Sequence, residues 1–141
     1  MPPLTGITER AYDDSRGQHN STEIIAELLR CVPHDHGKII GITAADLFIP
    51  VLTYVFGEAQ LDGPAAVVST YRLDEAMYGF PPNEPLFFER SLKEMVHELG
   101  HTYGLLHCRD FSCAMHASTT AEDIDLKGAV LCPACRSRLG L

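Results

Sequence analysis

The amino-acid sequence predicts an α+β fold: a helix and several short strands, then one long helix, then an irregular C-terminal region. Short runs rich in β-branched and aromatic residues lie between glycines and prolines, which is typical of strands. A later segment carries apolar residues at three- and four-residue spacing, which indicates a long helix. The 141 residues suit one domain. We divide it into a helix and strand subdomain, 1–104, and a C-terminal subdomain, 105–141.

The first half of the chain is predicted to hold one helix and three strands. Residues 1–20 are polar and turn-rich, so an irregular lead-in is expected. Asn20 and Glu23 resemble a capping box, and the apolar spacing after them predicts a helix at 21–31 that ends at Pro33. Strands are expected at 38–43, 53–56 and 65–71.

The long helix is predicted from Pro85 to about Tyr103, after a proline-dense loop at 79–85. Gly104 stands where a left-handed glycine commonly ends a helix. Its apolar residues are expected to lie on one side of the helix: Leu92, Val96 and Leu99.

The composition excludes two classes of partner. The formal net charge is −8, and an acidic protein repels both nucleic acid phosphates and anionic membrane surfaces. The sequence has no apolar run of about 18 residues, the length that a transmembrane helix needs. The first residues lack the basic and apolar segments of a signal peptide, so a cytoplasmic location is the default expectation.

A metal site is predicted within the sequence HELGHTYGLLH. His97 and His101 are four residues apart on the predicted helix, so both lie on one face and can share an ion. Glu98 follows the first histidine, where a base can take a proton from water activated by zinc. Gly104 allows a sharp turn that can return His107 as a third ligand. Three protein ligands leave a fourth position open, which is typical of catalytic zinc.

The pattern of five fixed residues in this stretch is specific. It would match by chance on the order of once in a million windows at average residue usage. The alternative interpretation is a helix with surface histidines that ends at an ordinary glycine.

Four cysteines near the C-terminus predict a second zinc site of a different kind. They are separated by four, 18 and two residues: Cys108, Cys113, Cys132 and Cys135. Four thiolates close a tetrahedron around zinc and leave no room for water, so this second site is predicted to be structural. The alternatives are disulfides, which the clustering of the cysteines disfavours, and a set of reduced, partly buried thiols. Because Cys108 follows His107 directly, we expect the structural zinc to fix the direction of that histidine.

These motifs together resemble the archaemetzincin family of metzincin-type zinc metallopeptidases. The resemblance rests on HELGHTYGLLHC, on CAM at 113–115 and CPAC at 132–135, and on DLFIP, YVFGEA and VSTYRL in the first half. It covers the chain from about Tyr12 to Cys135. It implies a metzincin-like fold, with a small mixed, twisted sheet, flanking helices, a long active-site helix and a zinc-pinned C-terminal subdomain.

The resemblance also implies an activity and a cofactor content. It implies a peptidase with two zinc ions, one on the three histidines and one on the four cysteines, and Glu98 as general base. Family members usually carry a strand–helix–strand unit before the segment like Tyr12–Leu29. That unit is not found in this sequence, so we expect either an N-terminally shortened member or a chain whose start was misassigned.

Several other residues are weaker candidates. Met115 could form the methionine turn beneath the metal or fill the core, and His116 beside it could approach a substrate or make a local hydrogen bond. His34 and His36 could bind a metal, although a solvated loop is favoured. Cys31 is expected to be a small core residue. Tyr103 has no predicted direction.

Two features of the segment before the long helix also concern substrate. Arg72 could hold a substrate carboxylate or pair with Asp74. The strand that carries Ser69–Leu73 could be an edge strand, to which an extended peptide adds.

We therefore predict a zinc hydrolase that cleaves peptide bonds. The resemblance implies short peptides as substrates and aminopeptidase character. Two alternatives stay open from the residues alone. One is a zinc-stabilised binding module with weak or lost catalysis, against which the presence of Glu98 argues. The other is a zinc amidase that acts on a non-peptide amide. The sequence indicates neither the cleavage direction nor the oligomeric state.

Overall fold

The computed structural model describes residues 7–32 and 37–141. The predicted helix end at Pro33 and the candidate metal pair His34 and His36 lie outside the described residues. The helices are α1 (Ile7–Ala11), α2 (Ser21–Leu28), α3 (Glu84–Thr102), α4 (Ala121–Leu126) and α5 (Pro133–Arg138), with short 3₁₀ segments at Leu29–Cys31 and Glu75–Tyr78. The strands are β1 (Tyr12–Asp13), β2 (Gln18–Asn20), β3 (Ile39–Thr43), β4 (Leu47–Phe48), β5 (Gly57–Ala59) and β6 (Ala65–Ser69).

The main sheet is small and mixed, as predicted, and has the strand order β3–β6–β5. β6 runs parallel to β3 and antiparallel to β5. All five residues of β6 are buried. This explains the apolar run AAVVS, because a central strand that is covered on both faces has no polar side.

Helices α2 and α3 cover opposite faces of this sheet. Side chains alternate between the two faces along a strand, so two neighbouring residues contact the elements on opposite sides of the sheet. In β5 the side chain of Glu58 accepts hydrogen bonds from Ser21 and Thr22 at the start of α2. The adjacent Gly57 instead faces Glu98 of α3. The sheet therefore forms the middle layer and presents β5 to the helix that carries the histidine motif.

The predicted helix at 21–31 is confirmed. The side chain of Asn20 accepts hydrogen bonds from the backbone N–H groups of Thr22 and Glu23, which satisfies two free donors of the first turn. The apolar face of α2 is buried in a cluster with β3 and β6. Its members from α2 are Ile24, Ile25 and Leu28.

The irregular lead-in expected at 1–20 is wrong from residue 7 onward, and its first six residues lie outside the described part of the chain. Helix α1 and the antiparallel pair β1–β2 occupy this stretch, and β2 also pairs in parallel with β4. The tight turn between β1 and β2 uses the carboxylate of Asp13, which accepts from Ser15 and Arg16, and Gly17 at φ +65°. Strands of two and three residues are too short to show an alternating pattern in sequence.

The strand predicted at 53–56 is also wrong, because the strand in this region is β5, which begins at Gly57. Val55 makes only a single bridge, to Leu47. The carbonyl of Thr53 is occupied by side chains, since it accepts from both Arg16 and Gln18. The β-branched and aromatic composition was therefore a poor guide here, because side-chain donors replace a neighbouring strand. The other two predicted strands, 38–43 and 65–71, correspond to β3 and β6.

The long helix is confirmed within one residue at each end. Its first turn is capped by Asn83, whose side chain accepts from the N–H of Leu86. At its other end Gly104 adopts φ +92°, and its N–H donates to the carbonyl of His101. The N–H of Leu105 donates to the carbonyl of Gly100, which completes the hydrogen-bond pair of a Schellman motif.

The buried face of α3 differs from the predicted one. Leu92 of the predicted apolar side remains 37% exposed, whereas polar and charged residues of the helix are buried. Two of the buried charges, Arg90 and Glu94, form ion pairs with residues from elsewhere in the chain. Arg90 pairs with Glu75 and Asp125, for example. Within residues 7–32 and 37–141, no helix has the length and apolar character needed to span a membrane.

We predict that Gly57→Ala destabilises the protein by about 1–3 kcal/mol, the usual cost of overpacking. A Cβ at this position would lie 2.6 Å from the carbonyl oxygen of Val67 and 3.0 Å from Cγ of Glu98. The carbonyl belongs to the central strand and cannot move away, so β5 must shift. Urea unfolding measures the change.

Gly41→Ala is the matched control in β3. Its Cβ would lie 3.0 Å from Cδ1 of Leu28, the far end of a flexible side chain that can rotate. An equal loss of stability in both variants would contradict the explanation.

Candidate active site and metal centres

Three histidines converge at the C-terminal end of α3. His97 and His101 lie one turn apart on the helix, and their Nε2 atoms are 3.1 Å apart. His107 returns after the Gly104 turn, so that one ring nitrogen from each of the three lies within 4.8 Å of the others. Zinc with N ligands at about 2.0–2.1 Å in a tetrahedron separates them by about 3.3 Å, so this set fits the ion.

Backbone carbonyls orient the two helical histidines. Nδ1 of His97 lies 2.7 Å from the carbonyl oxygen of Ala114, and Nδ1 of His101 lies 2.7 Å from that of Leu105. A carbonyl only accepts, so each Nδ1 carries the hydrogen. Both Nε2 atoms are left with free electron pairs that face each other, which is the usual arrangement of metal-binding histidines.

Loss of contact with water favours the neutral form of each histidine, most strongly at the buried His97. It lowers the pKa of His97 to about 3 and also lowers the pKa values of His101 and His107. A metal ligand must be unprotonated, so this environment favours metal over protons.

Glu98 lies at the floor of a cleft beside these histidines. It is 6% exposed, and burial raises the pKa of its carboxyl well above the ordinary value. The neighbouring carboxylates Glu94 and Glu58 raise this pKa further, while the ammonium group of Lys127 acts in the opposite direction. A carboxyl with a raised pKa is a better proton acceptor than an exposed one.

The cleft over Glu98 has a volume of about 670 Å³, within the range of ligand-binding sites. Its walls come from the segment before β5, from β5 itself and from residues 117–119. The hydroxyl of Tyr54 donates to the carbonyl of Thr119, which joins two of these walls. The apolar lining includes Leu52, Phe56, Leu61 and Leu106.

The four cysteines also converge. Sγ atoms of Cys108 and Cys132 are 3.7 Å apart, and those of Cys113 and Cys135 are 3.8 Å apart. A tetrahedron with Zn–S distances of about 2.3 Å gives S–S separations of about 3.8 Å. All four sulfurs lie within 4.8 Å of one another, so this set fits a closed zinc site.

The segment 113–116 connects the two clusters. Cys113 belongs to the thiol cluster, and the carbonyl of the next residue, Ala114, orients His97. The carbonyl of Met115 accepts from the N–H of Cys108. Met115 is fully buried against α3, where a Cβ at Gly100 would overlap its sulfur. Met115 therefore packs against α3 at Gly100, next in sequence to His101.

The weaker candidates have ordinary structural roles. His116 makes a local hydrogen bond through Nδ1 to the carbonyl of Cys108, at 2.8 Å. Cys31 packs half-buried against the core of α2. Tyr103 is 54% exposed, and the ammonium group of Lys38 lies over its ring. The pairing of Arg72 with Asp74 is wrong, because Arg72 makes a bidentate pair with Asp46.

The edge strand predicted at Ser69–Leu73 is wrong as well. β6 ends at Ser69 and lies in the centre of its sheet, so it has no free edge. β5 is an outer strand of this sheet and lies beside the cleft. The order of the strands in the sequence did not predict this. β5 lies between β3 and β6 in the sequence but at the edge of the sheet.

Sequence reasoning missed two buried charges near the site. Glu94 lies one turn before Glu98 on the same face of α3, and its four-residue spacing was a usable signal. Lys127 lies 29 residues after Glu98 and forms a buried ion pair with Glu94 at 3.2 Å. No local pattern marks such a residue.

Comparison with solved structures places the chain among the zinc metallopeptidases. The archaemetzincin of Methanopyrus kandleri superimposes with a TM-score of 0.83 and 38% identity, over 94% of this chain and 69% of the other. A zinc-dependent peptidase of Methanocorpusculum labreanum gives a TM-score of 0.87 and 29% identity, over 92% of this chain and 78% of the other.

The sequence comparisons name the family. The chain belongs to peptidase family M54, whose model matches residues 8–140. It is 41% identical to the archaemetzincin of Methanocaldococcus jannaschii over 137 residues, which cover 97% of this chain and 74% of that protein. The predicted family and the metzincin-like fold are thereby confirmed.

We predict that His97 stays neutral from pH 8 to pH 5 in the folded protein without metal at this site. Its pKa of about 3 lies far below this range, while the unfolded chain titrates near 6.5. The unfolded state therefore binds the additional proton between about pH 6.5 and 3, so this group lowers stability as the pH falls below 6.5. The chemical shifts of the His97 ring carbons, measured by NMR as a function of pH, report its protonation. A midpoint near pH 6.5 in the folded protein would disprove the prediction.

Proposed function

We propose that this chain hydrolyses peptide bonds at the three-histidine centre, with Glu98 as the general base. The observation that carries the proposal is the convergence of three neutral imidazoles beside a buried carboxyl, at the floor of an open cleft. This combination supports catalysis rather than a purely structural metal, because a structural site has no use for a base.

His97, His101 and His107 would hold the catalytic zinc. A zinc ion held there would supply Lewis acidity for the scissile carbonyl and would lower the pKa of a bound water. The carbonyls of Ala114 and Leu105 fix the two helical imidazoles, so that the ligands need little rearrangement.

Glu98 moves the proton. Its carboxylate accepts a proton from the attacking water and then donates it to the nitrogen of the leaving amine. Its burial supports both steps, since a raised pKa brings it closer to the operating pH. The side chain lies against β5, where Gly57 leaves room for it, since a Cβ at this position would come within 3.1 Å of Oε1 of Glu98.

Cys108, Cys113, Cys132 and Cys135 would hold a second, structural zinc. The chain would then bind two zinc ions, and residues 105–141 would form a subdomain organised around the thiolates. The apolar cluster of this region consists mainly of the cysteines, Leu105 and Met115, which supports a metal as its main source of stability.

The cleft supports peptides as substrates. A peptide in extended form could add to the outer edge of β5, which pairs with β6 on its other side. Apolar walls suit apolar side chains, and the carboxyl group of Glu98 lies among the residues that line the cleft. Because the Tyr54–Thr119 hydrogen bond joins two walls of the cleft, we infer that the substrates are short peptides. Aminopeptidase activity and the cytoplasmic location stay predictions. Digestion of a peptide library, analysed by mass spectrometry, tests the cleavage preference.

We expect two zinc ions per chain that differ in lability. The three-histidine site has an open position and an exposed third ligand, whereas two of the four cysteines are fully buried. Mild chelation should remove one zinc and abolish hydrolysis, while the second zinc remains. Elemental analysis before and after chelation measures this, and simultaneous loss of both ions would contradict the distinction.

We expect Glu98→Gln to lower hydrolysis by about 10²–10⁴-fold, the usual contribution of a general base. The amide preserves the shape of the side chain but cannot accept the proton. Catalytic zinc should stay bound, since Glu98 is not one of its ligands. Glu89→Gln, on an exposed position of the same helix, is the matched control and should keep full activity. Full activity in Glu98→Gln would disprove the assigned role.

A further inference from the structure

We propose that Lys127 is a positioning residue for the catalytic metal site. It links the segment 114–116 to helix α3 and thereby fixes the direction of the His97 ring. The inference rests on the proposed function, because it concerns the same three-histidine site.

The contacts of Lys127 carry the proposal. Its side chain is fully buried, and its ammonium group pairs with the carboxylate of Glu94 at 3.2 Å. The same ammonium group donates to the carbonyl of His116 at 2.9 Å. Lys127 therefore bridges two parts of the chain that both reach the histidine site.

The bridge closes a ring of contacts that begins and ends on α3. Glu94 holds Lys127, and Lys127 holds the carbonyl of His116. Two residues earlier, the carbonyl of Ala114 accepts from Nδ1 of His97. Glu94 and His97 lie three residues apart on one face of the helix, so the ring fixes the distance between α3 and the segment 114–116.

This arrangement differs from a bridge that only adds stability. The Ala114 carbonyl selects the tautomer and the direction of His97, and outer partners of this kind govern metal affinity. Without Lys127 the segment would keep the Ala114 hydrogen bond and the packing of Met115 against Gly100, but it would lose the bond at the carbonyl of His116. We therefore expect the metal site to lose affinity beyond any general loss of stability.

The chain offers a matched control. Lys93 is also a buried lysine of this region, 5% exposed, and it donates to a backbone carbonyl, that of Ile124. It lies on α3 itself and has no bond to the segment 114–116 among its described contacts. Loss of Lys93 should therefore lower stability without a specific effect on the metal.

The experiment compares Lys127→Met and Lys93→Met in the full chain, with zinc kept in the cysteine site. A chelator competition titration measures the zinc affinity of the three-histidine site, and the visible spectrum of Co²⁺ at this site reports on ligand geometry. We expect Lys127→Met to lose about 10- to 100-fold in affinity, with a changed Co²⁺ spectrum. Lys93→Met should show the affinity and spectrum of the parent protein.

A second variant keeps the test valid if Lys127→Met fails to fold. Lys127→Met leaves the Glu94 carboxylate buried without its cation, which is costly. The double variant Glu94→Gln/Lys127→Met removes both charges, and we expect it to fold and to show the same loss of affinity. Parent affinity in a folded double variant, or an equal loss in Lys93→Met, would overturn the inference. If the parent protein itself binds no zinc at the three histidines, the proposed function fails instead.

Discussion

Helix α3 buries a polar face, and much of the structure serves to give these buried polar groups partners. Charges removed from water need a partner of opposite charge or hydrogen bonds. Arg90 forms ion pairs with Glu75 and Asp125, and Glu94 forms one with Lys127. These partners come from the 3₁₀ segment before the helix and from the chain after it. The paired charges therefore determine where the C-terminal region docks.

The end of α3 converts this docked helix into a site. The turn at Gly104 brings Leu105 back so that its carbonyl meets His101 of the same helix. The segment after the turn then delivers His107. One change of backbone direction thus supplies both a third candidate ligand and the orientation of the second one.

The C-terminal region is small and owes its order to a few contacts. Residues 105–141 contain two six-residue helices, and their apolar cluster is built largely from cysteine side chains. A structural zinc contributes about 10–16 kcal/mol of apparent binding energy, which is comparable to the stability of a whole domain. The proposed structural zinc would therefore also stabilise Ala114 and, through its carbonyl, His97.

The sequence by itself determined the features that depend on neighbouring residues. The spacing of His97 and His101, the left-handed Gly104 and the cap at Asn20 are local, so helix geometry alone predicts them. The tertiary structure decided which strand borders the cleft, which face of α3 is buried and which cation meets Glu94. These depend on residues far apart in the chain, such as Arg16 with Thr53 and Lys127 with Glu94. No short pattern records such pairs, because the energy that selects them arises only when distant segments are packed together.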